Sequence, residues 1–285
     1  MKNILVAIDF SDCSLNALHY AVMIANKFNS DLTLIHVCKP YVKSLYYPDT
    51  KEQEKISTEK KLKELVSKYE KDIKGKISYK IREGKVYKEV INQAKYNDSD
   101  LLVAGAHGIS GFEEFFIGSN AFRLITASPC PTLTITADFN AKKFERILLP
   151  IDNSIESRQK TMFTTEVAQK LNATVNVLGV FNSTDNTEQN RIKQYCNQVI
   201  NYLGKHNVNN TLEFSEESNI ADASLSYAEK TDTHLISIMS EANPYALKRI
   251  LGSNAYKLVH HSKHPVLCLH TEKEYNYPAD FSGTY

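Results

Sequence analysis

The sequence contains no tryptophan and five cysteines, none of which are spaced as a CxxC pair. Zinc sites and disulfide-stabilised domains need paired or clustered cysteines, so the five thiols are expected to be reduced and buried. No apolar stretch approaches the roughly 20 residues that a membrane-spanning helix requires. We therefore expect no metal site built on cysteine and no membrane partner.

The chain also lacks an excess of charge of one sign, because its 34 Lys and Arg residues are balanced by 33 Asp and Glu residues. The formal net charge of +1 argues against a broad basic surface that binds nucleic acid through phosphate contacts. The first residues, MKNILVAIDF, enter a strand-like apolar block without the small-residue cleavage site of a secretory signal. A cytoplasmic protein is expected.

An internal repeat organises the 285 residues. The segment NILVAIDFSDCS at 3–14 reappears as RILLPIDNSIES at 146–157, and GSNAFRLI at 118–125 reappears as GSNAYKLV at 252–259. Self-similarity over this distance indicates two copies of one structural unit. The predicted boundaries are 1–140 for the first domain, 144–271 for the second, and 272–285 for a C-terminal tail.

Each copy alternates short β-rich runs with longer stretches of helical apolar spacing. Nearly continuous apolar runs such as LLVAGA are typical of a parallel sheet that is covered on both faces. The sequence therefore predicts an α/β fold of two tandem doubly wound parallel-sheet domains, Rossmann-like and five-stranded, with ligands at the carboxyl ends of the strands. In the first copy the predicted strands are 3–9, 32–37, 77–83, 101–106 and 132–137.

The strongest local feature is the segment Gly105-Ala106-His107-Gly108, followed after nine residues by Gly118, Ser119 and Asn120 at the start of the fourth predicted helix. Glycine adopts positive φ and lets the backbone approach a ligand closely, so that successive N–H groups can converge on phosphate oxygens. A helix start adds unpaired N–H groups and the positive end of a dipole. Together these features predict an anion-binding cradle.

The spacing G-x2-G-x9-G-S after the fourth strand resembles the ATP-binding motif of the universal stress protein family, and the likeness covers nearly the whole chain twice. The resemblance implies an adenine nucleotide alpha-hydrolase-like fold and ATP, ADP or AMP as the ligand, with Mg²⁺. In this family the last strands, here 132–137 and 265–270, pair antiparallel between two domains. An intramolecular pseudo-dimer is thus implied, and a homodimer of chains is compatible with it.

Carried over position by position, the resemblance assigns nucleotide contacts to eleven residues. Asp9 would hold the ribose or adenine, and Val37 would contact adenine through its backbone. The glycines would cradle the phosphates, and Ser119 with Asn120 would hold the distal ones. The full set is Ala7, Ile8, Asp9, Val37, Ala104, Gly105, His107, Gly108, Gly118, Ser119 and Asn120.

Simpler interpretations stay open for several of these residues. Asp9, followed by Ser11, is also a suitable cap for the first helix. Gly105 and Gly108 would also fit a tight turn, and a loop histidine such as His107 is often only solvated.

The second copy departs from the motif. Met239 and Ala242 stand at the positions of the first two glycines, and Glu241 stands at that of His107. A side chain where the backbone needs positive φ, and a carboxylate near phosphate oxygens, both oppose binding. We therefore predict nucleotide binding by the first domain only, although Asp152, Val180, Gly252, Ser253 and Asn254 are retained.

The second copy also contains His260, His261 and His264. On a helix, His260 and His264 would lie one turn apart on one face, a spacing that zinc accepts, but no carboxylate or cysteine stands at a matching offset. Surface or partly packed histidines are the favoured interpretation, and no metal ligand is predicted.

Three functions fit the sequence. The first is a stress-response regulatory protein in which bound ATP alters the loop 109–117 and an unidentified protein partner reads the change. The second is a slow ATPase or nucleotide hydrolase; no catalytic residue is assigned, because a P-loop, a pyrophosphatase loop and an arginine finger are all missing. The third is an assembly scaffold that binds no nucleotide.

Overall fold

A computed structural model describes residues 1–38, 50–107, 119–154, 156–217, 219–240 and 252–270. The described residues form two compact units, one up to residue 137 and the other from residue 138 onward. Each unit alternates strands and helices around a parallel sheet, which confirms the predicted fold class. Within these ranges no helix has both the length and the apolar character needed to cross a bilayer.

The first unit has its strands in the order β3-β2-β1-β4-β5, with every neighbouring pair parallel. The chain moves outward from β1 in one direction and then returns to the other side through β4. This reversal opens a crevice at the carboxyl ends of β1 and β4. The elements are β1 (Asn3–Ala7), α1 (Asp12–Phe28), β2 (Asp31–Cys38), α2 (Thr50–Tyr69), β3 (Ile77–Glu83), α3 (Val86–Tyr96), β4 (Leu101–Gly105), α4 (Ser119–Ala127) and β5 (Thr132–Ile135).

The second unit repeats this topology with the order β8-β7-β6-β9-β10, again parallel throughout. Its elements are β6 (Arg146–Ile151), α5 (Lys160–Leu171), β7 (Thr174–Val180), α6 (Asn186–Lys205), β8 (Asn210–Ser215), α7 (Ile220–Lys230), β9 (Leu235–Ser240), α8 (Ser253–His261) and β10 (Val266–His270).

The first helices of the two units end alike but begin differently. Asn29 after α1 and Asn172 after α5 both have a φ of 55°, the left-handed conformation that commonly ends a helix. Helix α1 begins directly after its cap residue, Ser11, whereas α5 begins only after a 3-10 turn at Glu156–Arg158. The two units therefore differ at the turn that follows the first strand.

The core of the first unit lies directly beneath the crevice. Leu5, Ile35 and Leu102, on the three central strands, are at most 1% exposed and pack with Val90 and Leu124 from two helices. Close-packed interiors of this kind deform little. The strand ends that line the crevice are thus held by a rigid base.

Candidate functional site

A cleft of about 910 Å³ opens at the carboxyl ends of β1, β2 and β4 in the first unit. This volume is in the range typical of small-molecule sites. Nine of the eleven predicted residues line it, although they come from four separate stretches of the chain: Ala7, Ile8, Asp9, Val37, Ala104, Gly105, His107, Ser119 and Asn120.

The other two predicted residues, Gly108 and Gly118, lie outside the described residues, as does the loop 109–117. The helix start that follows them is described: α4 begins at Ser119, and both Ser119 and Asn120 are exposed. The first turn of α4 therefore presents hydroxyl, amide and backbone N–H groups to the cleft.

Asp9 lies at the end of β1, and one of its carboxylate oxygens organises the turn into α1. Its Oδ1 accepts hydrogen bonds from the backbone N–H (3.0 Å) and the hydroxyl (2.5 Å) of Ser11. Ser11 in turn accepts from the N–H of Ser14 at 3.2 Å, so Ser11 is the helix cap and the alternative of Asp9 as the cap is wrong. The Oδ2 of Asp9 makes no hydrogen bond to the described residues and is left for a ligand.

Gly105 ends β4 where helix α1 begins. A β-carbon at this position would lie 2.8 Å from Cys13 Cβ and 3.0 Å from both the Cys13 carbonyl carbon and the Ser14 nitrogen. The expectation that this glycine serves positive φ is wrong, since its φ is outside the left-handed region. Gly105 is required instead because the backbone of α1 occupies the space of a side chain.

Two histidines of the cleft have a lowered pKa, which favours the neutral ring. Burial lowers the pKa of His107, and its buried Nε2 has no hydrogen-bond partner among the residues that the structure describes. Burial also lowers the pKa of His36; the positive charge of Lys61 acts in the same direction, while Asp9 and the Ile8 carbonyl oppose it. His36 Nδ1 lies 2.8 Å from the Ile8 carbonyl oxygen and must donate, because a carbonyl only accepts.

The remaining wall between β2, α3 and α4 is apolar. Val37 is 8% exposed at the end of β2, and Val86, Val90 and Leu124 face the same cleft from the helices. A flat apolar group fits against such a wall, while the polar edges of the cleft remain free to orient it. The cleft thus combines an apolar pocket, a carboxylate and a helix start.

Sequence reasoning missed the contribution of α2. Gln53, Glu54, Ser57, Thr58 and Lys61 extend from this helix along the cleft. The segment TKEQEKISTEKK is polar almost throughout, so no residue in it stands out from its neighbours. Only the fold brings one face of α2 to the strand ends.

The profile of the Universal stress protein family matches residues 1–136 and again residues 143–270. The chain belongs to this family. This universal stress protein is similar to Universal stress protein YxiE of Bacillus subtilis, with 30% identity over 147 residues that cover 47% of this chain and 98% of that protein. Universal stress protein MJ0531 of Methanocaldococcus jannaschii is 32% identical over 142 residues, or 47% of this chain and 81% of its own length.

A solved structure agrees with the tandem arrangement of this universal stress protein. The crystal structure of a universal stress protein from Archaeoglobus fulgidus has a TM-score of 0.75, 18% identity, and coverage of 94% of this chain and 98% of its own. At that identity the likeness shows the fold alone.

In the second domain of this universal stress protein, the turn after β6 keeps the hydrogen bonds between aspartate and serine that occur after β1. Asp152 Oδ1 accepts from the N–H (2.9 Å) and hydroxyl (2.5 Å) of Ser154, as Asp9 does from Ser11. Met239, 8% exposed, takes the place of Gly105. The second domain has a 3-10 turn and a later start of α5 where α1 in the first domain begins directly after its cap.

The helix start of α8 in the second domain is also engaged by the protein. Asn219 donates from Nδ2 to Oδ1 of Asn254, the residue that corresponds to Asn120, at 2.9 Å. Asp222 of α7 pairs with Lys257 of α8, with a Nζ–Oδ1 distance of 2.6 Å. The side chain that corresponds to Asn120 is therefore hydrogen-bonded to the cap residue of α7 in the second domain. Ala242 and Glu241 lie outside the described residues.

The histidines near the end of the second domain do not share a helix face. Helix α8 ends at His261, and His264 follows in the turn before β10. The arrangement with His260 and His264 one helical turn apart is therefore wrong. In the described ranges, no three His, Cys, Asp or Glu residues are grouped closely enough to hold a metal ion.

Proposed function

We propose that this universal stress protein binds ATP, or another adenine nucleotide such as ADP or AMP, in the cleft of its first domain. The observation that carries the proposal is the convergence of nine positions from four stretches of the chain on one cleft. Cytoplasmic regulation of a stress response by a protein partner that senses the bound nucleotide is part of the proposal.

The described residues fit such a ligand. The apolar wall of Val37, Val90 and Leu124 suits the faces of an adenine base. The second carboxylate oxygen of Asp9 suits a ribose hydroxyl, which needs an acceptor. The exposed N–H groups at the start of α4 suit phosphate oxygens, and Mg²⁺ would supply neutralising charge there.

The contrast between Gly105 and Met239 and the bond between Asn219 and Asn254 support the proposal that only the first domain binds a nucleotide. The second domain offers the same aspartate turn, but the Asn254 side chain at the start of α8 is already hydrogen-bonded to Asn219. We propose that it supports the fold and carries no adenine nucleotide.

Calorimetry on a matched pair of variants tests this proposal. Asp9→Asn and Asp152→Asn each keep the acceptor oxygen that orders the following serine, and each remove one negative charge. Because hydrogen bonds to charged groups are the stronger ones, Asp9→Asn is expected to weaken ATP binding about tenfold, whereas Asp152→Asn leaves it unchanged.

Wild-type protein that binds none of ATP, ADP and AMP would contradict the proposed function and favour a scaffold. Equal losses in the two variants would contradict binding by the first domain alone.

The proposed role is binding with little turnover. Phosphoryl transfer depends on cations placed around the transferred group, and no arginine occurs among the described residues that line the cleft. We expect phosphate release slower than about one per minute, against an enzyme median of about 10 per second. Pairing of the last strands of the two domains, and association of chains, stay predictions.

A further inference from the structure

Lys61 is the one basic side chain, histidines aside, among the described residues that line the cleft. Asp9 and Glu54 line the same cleft, yet Lys61 forms no ion pair within the described part of the chain. Its ammonium group instead lies over the ring of Phe10, with Nζ 5.3 Å from the ring centroid. A cation that lies over an aromatic face and is not ion-paired keeps its charge available for an anion.

Phe10 is held in an unfavourable backbone conformation. Its φ is 65°, in the left-handed region that costs a residue with a β-carbon about 1 to 2 kcal/mol. The ring lies against that of His36 in a tilted arrangement with centroids 4.9 Å apart, and His36 is fixed by its bond to the Ile8 carbonyl. Such strain, where the surroundings enforce it, is concentrated at functional sites. Here it places an aromatic ring between the sheet and α2.

The described part of the second domain has no counterpart of this contact between Phe10 and His36. Asn153 stands at the position of Phe10 without a positive φ, and Gly179 stands at that of His36. The space above Gly179 is filled by Phe214, whose Cδ1 would lie 2.5 Å from an added β-carbon. The contacts of Phe10 with His36 and Lys61 therefore occur in the domain that has Gly105 and an exposed start of α4.

We propose that Lys61 binds the phosphate groups of the nucleotide and that Phe10 is the positioning residue that aims it. This inference rests on the proposed function and adds a contact from α2 to it. The carboxylate of Glu54 repels a polyphosphate, so the ammonium of Lys61 offsets fixed negative charge that the cleft carries. An uncharged adenosine gains nothing from that ammonium.

Titration of ATP and adenosine against Lys61→Gln tests the phosphate contact. We expect ATP affinity to fall about ten- to hundredfold and adenosine affinity to stay within about twofold, as for a lost charge-assisted hydrogen bond. The matched control is Lys60→Gln, because Lys60 lines a separate depression on the outer face of α2 with Ile56 and Glu64. High salt should reduce the difference in ATP affinity between wild type and Lys61→Gln, since salt screens exposed charges.

Phe10→Gly tests the positioning role without straining the backbone, because glycine adopts a φ of 65° freely. We expect ATP affinity to fall and adenosine affinity to hold. Combined with Lys61→Gln, it should produce no further loss, because the ring acts through the lysine. Unfolding of each variant, followed by circular dichroism, checks that the fold is kept.

Three results would overturn the inference. If Lys61→Gln weakens ATP and adenosine by the same factor, the lysine acts on the base or on the placement of α2. If it changes neither affinity, the lysine contacts no ligand. If wild-type protein binds no nucleotide, both the proposed function and the contact of Lys61 with phosphate are wrong. That result is obtained with wild-type protein alone, before any variant is made.

Discussion

The Cβ of Cys13 lies 2.8 Å from the point where a β-carbon at Gly105 would stand, so helix α1 begins directly against the end of strand β4. The first glycine of the nucleotide motif therefore has a packing role as well as a place in the cleft. In the second domain, Met239 takes this position and α5 begins later, after a 3-10 turn. The domain with glycine at this position therefore has the helix that begins early, and the domain with methionine has the helix that begins late.

Gly105→Ala is expected to lower the apparent free energy of unfolding by about 1 to 3 kcal/mol, because backbone atoms of α1 must move to admit the methyl group. Chemical denaturation measures the change. Gly204→Ala is the matched control, since nothing lies within 4 Å of a β-carbon there and the residue is inside α6. That variant should gain about 0.5 to 1 kcal/mol. Equal effects at both sites would show that Gly105 is not sterically required.

Stability is expected to fall as the pH drops below about 6.5, the ordinary pKa of histidine. Burial lowers the pKa of His36 and His107 in the folded protein, so the unfolded chain binds protons more readily. The contribution of these two histidines to the free energy of unfolding is complete above about pH 6.5 and is lost as the pH falls toward their pKa in the folded protein. His107→Gln should reduce the slope of unfolding free energy against pH in this window. Identical slopes in wild type and variant would refute the assignment.

Cys38 is expected to be the first thiol to react with an alkylating reagent in the native protein, and ATP should slow that reaction. Its side chain is half-buried and lines the cleft, whereas burial raises the pKa of Cys130 to about 11 and that of Cys196 to about 12. Thiols that stay protonated react slowly. Peptide mass analysis after timed labelling, with and without ATP, measures both effects. Labelling of Cys38 that ignores ATP would count against its place beside the nucleotide.

Asn219→Ala is expected to destabilise the second domain by about 0.5 to 2 kcal/mol. Asn219 caps α7 by accepting from the N–H groups of Ala221 and Asp222, and it also donates to Asn254. Asn219→Asp keeps the cap and removes the donor, so it separates the two contributions. Thermal unfolding of the two variants should show the alanine variant as the less stable one. The reverse order would contradict the cap at Asn219, because both variants lose the link to Asn254 and only the alanine variant also loses the cap.

The fold could be predicted from the sequence because its signals are local. Apolar runs such as LLVAGA, helical spacing between them and the repeat of NILVAIDFSDCS specify strand, helix and copy number without any distant contact. Predicted strand ends agree with the structure to within two residues, as at β1 and β5. Family membership follows from the same segments.

The sequence by itself determined that Asp9, His107 and Ser119 would meet, because each follows a strand end or starts a helix at one edge of a parallel sheet. Only the tertiary structure decided that Lys61 faces the cleft and that the ring of Phe10 contacts both Lys61 and His36. The physical reason is distance along the chain. Lys61 and Phe10 are brought together by the packing of a polar helix on the sheet, and no local pattern in either segment encodes that contact.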